Sequence, residues 1–200
     1  MREISPATNL SADEYFLSVS PFVQQFIENI RKQKMIGARP LPSTTLIDQS
    51  KLLTIDSRKA IIDKVAILVD ENIYGRSEMC EQFASLLKFA LNYVGLHANV
   101  ILGTSIYYSE NREIFRWQHA CVQSGREVID GNVDILHENP AVPNSVNVAP
   151  YWGAINAIPK DRRLSPDKTR KLKKSDIDVS NIWRPELKTW LDKVIIPNRA

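Results

Sequence analysis

The chain has only two cysteines, three histidines and seven glycines in 200 residues, and each scarcity removes a class of protein. Two cysteines, Cys80 and Cys121, cannot build a disulfide framework. With His97, His119 and His137 they show none of the paired spacings that zinc sites use, so neither a metal nor another cofactor is expected. No glycine-rich loop is present to cradle a phosphate. Long apolar runs are missing too. The richest stretch, Ala60 to Val69, is broken by Asp63 and Lys64, well short of the roughly 18 residues of a membrane span. Met1 to Leu10 holds one basic residue and no apolar segment, unlike a secretory signal. The cytoplasm is the expected compartment, with delivery by a specialised secretion machine left open.

What remains is an ordinary globular composition, 44% hydrophobic and 24% charged. A net charge of +3 is too mild to argue for nucleic acid. The length suits one domain, read as a helical part over 1–70, a catalytic core over 71–135 and a loop-rich, basic extension over 136–200. Ser11 starts a helical pattern in which Tyr15, Phe16, Val19, Phe22, Val23, Phe26, Ile27 and Ile30 share a stripe. A second helix is expected over about Ser57 to Asp70. Core packing explains both.

The informative stretch begins at Tyr74. Cys80, Phe83, Leu86, Leu87, Ala90, Leu91 and Val94 fall on one helical stripe, and Gly95 supplies its C-terminal stop. With Ser77 as the N-cap, Cys80 lies in the first turn. There the unpaired backbone N–H groups and the positive end of the helix dipole favour a thiolate. A small apolar core residue is the competing reading of Cys80. Strands are expected at His97 to Tyr108, Glu113 to Gln123 and Arg126 to Asp130, the first two joined by the polar turn 109–112. A helix followed by an antiparallel meander makes the fold class α+β.

Taking Ser124-Gly125 as a two-residue hairpin turn sets His119 directly opposite Asp130, within reach of a hydrogen bond. A carboxylate on one ring nitrogen fixes the tautomer and leaves the other nitrogen to take a proton from a thiol. Alternation puts Phe115, Trp117, His119 and Cys121 on one face, so the histidine is expected to be at least partly buried. Asp134 is the second choice of orienting acid. Cys121 reads either as a redox partner of Cys80 or as a small strand filler, and His97 and His137 as solvated.

The order of cysteine on a helix start, histidine on one strand and aspartate on the next resembles the transglutaminase-like superfamily of papain-type cysteine enzymes. Cys80-Glu81-Gln82-Phe83-Ala84 is similar to its Cys-x-x-Phe-Ala run. Trp117-Gln118-His119-Ala120 resembles its His-Ala-Trp segment, and Val128-Ile129-Asp130 its strand ending in the triad aspartate. The likeness spans roughly Tyr74 to Asp134. Cys121 stands where the family usually has tryptophan, and no acidic cluster suggests a calcium site.

The resemblance implies a papain-like core and a Cys80–His119–Asp130 triad acting on a peptide or protein amide through a thioester. Hydrolysis, deamidation, proteolysis and amine transfer all fit. The backbone N–H of Cys80 would bind the oxyanion, with Tyr74 or Gln82 as the second donor and Trp117 as a wall of the site. Arg76 to Glu81 more loosely resembles the motif of arylamine N-acetyltransferases, an alternative acyltransferase. A non-catalytic binding protein on the same fold is the other alternative. Lys160 to Lys174 holds eight basic and two acidic residues. It reads as a solvated face or as a surface for an acidic partner. Trp183 to Ile196 is expected to close the chain as a short helix, with Leu187, Trp190, Leu191 and Val194 inward.

Overall fold

The computed structural model describes residues 53–70, 78–136 and 148–198, together with positions 21, 24, 25, 28, 32, 35, 45, 46, 76, 142, 143 and 146. Tyr74, Ser77, His137 and the apolar stripe from Tyr15 to Ile30 lie outside the described residues. In the amino-terminal part Pro21, Gln24, Gln25, Glu28, Lys32 and Met35 are helical.

The fold is α+β. Its sheet comprises β1 (Thr45–Leu46), β2 (Ala98–Ser109), β3 (Arg112–Ser124), β4 (Glu127–Asp130), β5 (Tyr151–Ala154) and β6 (Arg162–Pro166) in the order β1-β5-β4-β3-β2-β6. All pairings are antiparallel except β1 with β5, so the amino-terminal part, expected to be helical, also lends the sheet a short parallel edge. Three helices, α1 (Ile55–Val69), α2 (Cys80–Tyr93) and α3 (Lys174–Trp190), share one core with the sheet residues Leu102, Ala120, Val122, Ile129 and Trp152. Burying one stripe of each helix against one sheet face gives this layered arrangement its stability.

Local chemistry explains the element ends. Thr54 caps α1 by accepting from the Ser57 N–H at 3.1 Å. At the end of α2, Gly95 takes φ +83°, while Gly95 N–H donates to Asn92 and Leu96 N–H to Leu91. That pair of bonds is a Schellman motif, and its left-handed residue strongly favours glycine. Glu110 and Asn111 turn the β2–β3 hairpin with positive φ.

Two departures from the sequence reading matter most. The β3–β4 turn is Gly125-Arg126, with Gly125 at φ +57°, and the register runs Ser124↔Glu127, Gln123↔Val128 and Val122↔Ile129. The pairing is two residues away from the expected one. Side chains alternate with period 2, so a slip of two changes every partner yet leaves every side chain on its expected face. Second, α3 begins at Lys174, nine residues before the expected start, and runs on through a π turn, Leu191–Ile195. Most of α3 is exposed, so its first half carries little apolar signal. Leu187 and Leu191 are buried and Trp190 half-buried as expected, but Val194 is exposed and Ile195 takes the inward place.

Candidate functional site

Cys80 is the first residue of α2 and is buried. The N-cap is Met79 rather than Ser77, and among the described residues no side chain caps this helix start. Glu78, just before it, takes φ +63°, a conformation that costs a non-glycine residue energy. Two contacts fix the tip of α2 beside the end of β4. The Phe83 ring lies so close to Gly131 that a Cβ there would sit 2.7 Å from it. Arg76 donates to Asn132 at 3.1 Å and to Asp134 at 2.6 Å. Asp134 is therefore held by Arg76, which removes it as the orienting partner of His119.

On β3, Ala120 and Val122 point to the helix layer, and His119 and Cys121 to the opposite face. His119 is fully buried and its Nε2 lies 2.7 Å from Asp130 Oδ1. By the register of the adjoining pairs Asp130 stands opposite Cys121, so the bond to His119 is a diagonal one along the same face. Trp117 stacks on the imidazole, with centroids 4.9 Å apart and planes at 15°. Its indole N–H donates to the Tyr107 hydroxyl.

The second carboxylate oxygen, Oδ2, accepts from Arg162 Nη1 at 2.9 Å. Arg162 is buried, and its remaining donors go to Asp161 and to the Ala149 carbonyl. Sequence reasoning missed this residue, because a buried arginine inside a basic run looks like one more solvated charge. A weak signal was available: Arg162 and Leu164 alternate within a five-residue strand bounded by Pro159 and Pro166.

Charge follows from these partners. Burial works against ionisation of Asp130, but His119 and Arg162, by charge and hydrogen bonds, hold its carboxyl below the usual range. An ionised carboxylate only accepts, so Nε2 carries a proton and Nδ1 is the nitrogen left to vary. Burial also works against a charged His119, yet Asp130 and then Cys80 raise it to about 9. Among the described residues, the buried Nδ1 meets no partner of full hydrogen-bond geometry. Cys80 is close enough to the ring to favour a proton on it, by hydrogen bonding and by charge. Burial, with the nearby Asp130, pushes the Cys121 thiol far up. A thiol so held stays protonated, which suits a strand filler better than a redox partner.

The other expected residues fare unequally. Gln82 does not join the cluster: its amide nitrogen donates to Asp176 of α3 at 2.8 Å. His97 is exposed. Within the basic segment, Arg162 and Arg170 turn inward while the other six basic side chains are exposed. Arg170 bridges Glu81, the neighbour of Cys80, to Gln118, the neighbour of His119. Among the described residues, no group of three histidine, cysteine or acidic side chains could hold a metal ion, and no helix is long and apolar enough to cross a membrane.

Comparison with protein-family models, curated proteins and solved structures finds no match to this chain.

Proposed function

We propose that the chain is a cysteine-dependent acyl-transfer enzyme of transglutaminase-like type with a papain-like core, acting on an amide through a thioester. One observation carries the reading: a buried imidazole bound through Nε2 to an ionised aspartate, with a helix-tip cysteine favouring a proton on the ring and, among the described residues, no other partner for Nδ1. Structural histidines satisfy both nitrogens or expose one, because leaving a buried polar atom without a partner costs about 1–3 kcal/mol.

In this mechanism the proton of the Cys80–His119 pair rests on His119 Nδ1, and the Cys80 sulfur attacks the amide carbonyl. The oxyanion is bound by the backbone N–H of Cys80, at a helix start where no side-chain cap competes. His119 then gives its proton to the leaving amine, leaving an acyl thioester on Cys80. Water or an amine resolves the thioester, with His119 as base. Asp130 holds the ring, and Arg162 holds Asp130. The stacked Trp117 shields the pair from water, which strengthens their interaction.

Iodoacetamide labelling at pH 6, read by mass spectrometry, tests this. Cys80 should react far faster than a model thiol, Cys121 should stay unlabelled, and Asp130→Asn should slow Cys80 by tenfold or more. Slow labelling of Cys80 in the native chain would exclude catalysis by it.

A further inference from the structure

His119 also lines a pocket on the sheet face opposite the helices, between β2, β3, β6 and the turn after β5. We infer that this pocket receives the acyl portion of the substrate, and that it selects an uncharged aliphatic group of about leucine side-chain size over a second carboxamide or a charged group. The inference rests on the proposed amide chemistry and names its substrate class.

The walls carry the argument. Ile101, Val128, Ile158 and Leu164 form the apolar part, with the protonated Cys121 thiol among them. No lysine, arginine, aspartate or glutamate lines the pocket. His119 stands in one wall, and Thr104, Ser105 and Ser165 are the other polar side chains of the lining. An acyl group matches such a pocket with its hydrocarbon chain against the apolar walls and its carbonyl beside His119. The space, about 80 Å³, is smaller than the roughly 150 Å³ apolar cavity that admits a benzene ring. It accommodates a short branched chain. Ile155, 46% exposed at the mouth, offers such a chain an apolar approach. Each methylene moved from water into these walls should strengthen binding about fourfold. A carboxamide pushed into them would lose its water partners without replacement.

The test uses the full chain carrying Cys80→Ala, so that binding is read without turnover. Isovaleramide and succinamide are titrated, and the His119 ring resonances followed by NMR. Isovaleramide should shift them at millimolar concentration, with at least tenfold preference over succinamide. Leu164→Trp, which fills the pocket, should abolish the shift; Ile158→Phe, at a half-buried loop position, repeats the test should Leu164→Trp misfold. Equal or better binding of succinamide overturns the inference, as does isovaleramide binding unchanged in a folded pocket-filled variant. Failure of binding while native Cys80 still labels rapidly sinks the pocket assignment alone. Selective binding with an inert Cys80 upholds the pocket as a binding site and sinks its catalytic purpose.

Discussion

Strand β4 is four residues long and carries a buried carboxylate at each end, and the two ends are built for different purposes. Glu127 points to the helix layer, where Oε1 accepts from Arg58 at 3.3 Å and Oε2 from the Trp152 indole at 2.9 Å. Asp130 points the other way, to Arg162 and His119. Each acid is paired with a buried arginine and an aromatic N–H. The indole of Trp152 can only donate, so that ring offers no second site for a proton and the cluster serves packing. The imidazole of His119 has a second nitrogen, without a partner of full hydrogen-bond geometry among the described residues, and a thiol that favours a proton on the ring. Arginine pairing makes a buried acid affordable at both ends; the titratable ring separates the cluster proposed to be reactive from the structural one.

The largest expected effects break that symmetry directly. Glu127→Ala and Asp130→Ala should each destabilise the fold by about 3–5 kcal/mol, because each takes its partner from a buried arginine. Denaturant melts of both variants check this. Only the Asp130 series should alter Cys80: Asp130→Asn slows labelling, while Glu127→Gln leaves the labelling rate unchanged. A Glu127→Gln effect on labelling as large as that of Asp130→Asn would erase the distinction.

Next in size is a pH dependence. His119 is raised in the folded chain to about 9, above its ordinary value near 6.5. Its contribution to stability is therefore complete below about pH 6.5 and is lost as pH rises through about 9. Urea midpoints should fall across that window, and His119→Gln should flatten the fall. Asp130, held below the usual carboxylate range, contributes stability above about pH 4 that disappears only as pH drops through its lowered value.

Gly131→Ala should cost about 1–3 kcal/mol, because the new methyl forces the Phe83 ring away and loosens the tip of α2 against β4. Thermal melting checks the cost, and slower Cys80 labelling reports the displaced helix tip. Smallest is Arg170→Ala. Its pair with Glu81 is partly exposed, so the stability loss should stay under about 1 kcal/mol in a denaturant melt.

Much of this site could be read from residue order because its elements carry strong local signals. The α2 stripe, the Gly95 stop and the alternation along β3 each point to one structure. The His119–Asp130 pairing was reached through a register two residues wrong, and it survived because face, set by period 2, is more robust than partner, set by turn geometry. Arg162 stayed hidden for the opposite reason. Nothing local distinguishes a buried arginine from its solvated neighbours; only its long-range partner Asp130 does. The early start of α3 was equally silent, since Ser180 is the one fully buried residue in its first half.

The coupling of thiol and ring is read most directly from the protonation of His119, followed by NMR of the labelled imidazole in the native chain and in Cys80→Ala. The ring should hold its extra proton until about pH 9 in the native chain, and should give it up at distinctly lower pH once the sulfur is gone. A ring that titrates near 6.5, or one indifferent to Cys80→Ala, would mean that the sulfur and the imidazole do not act together.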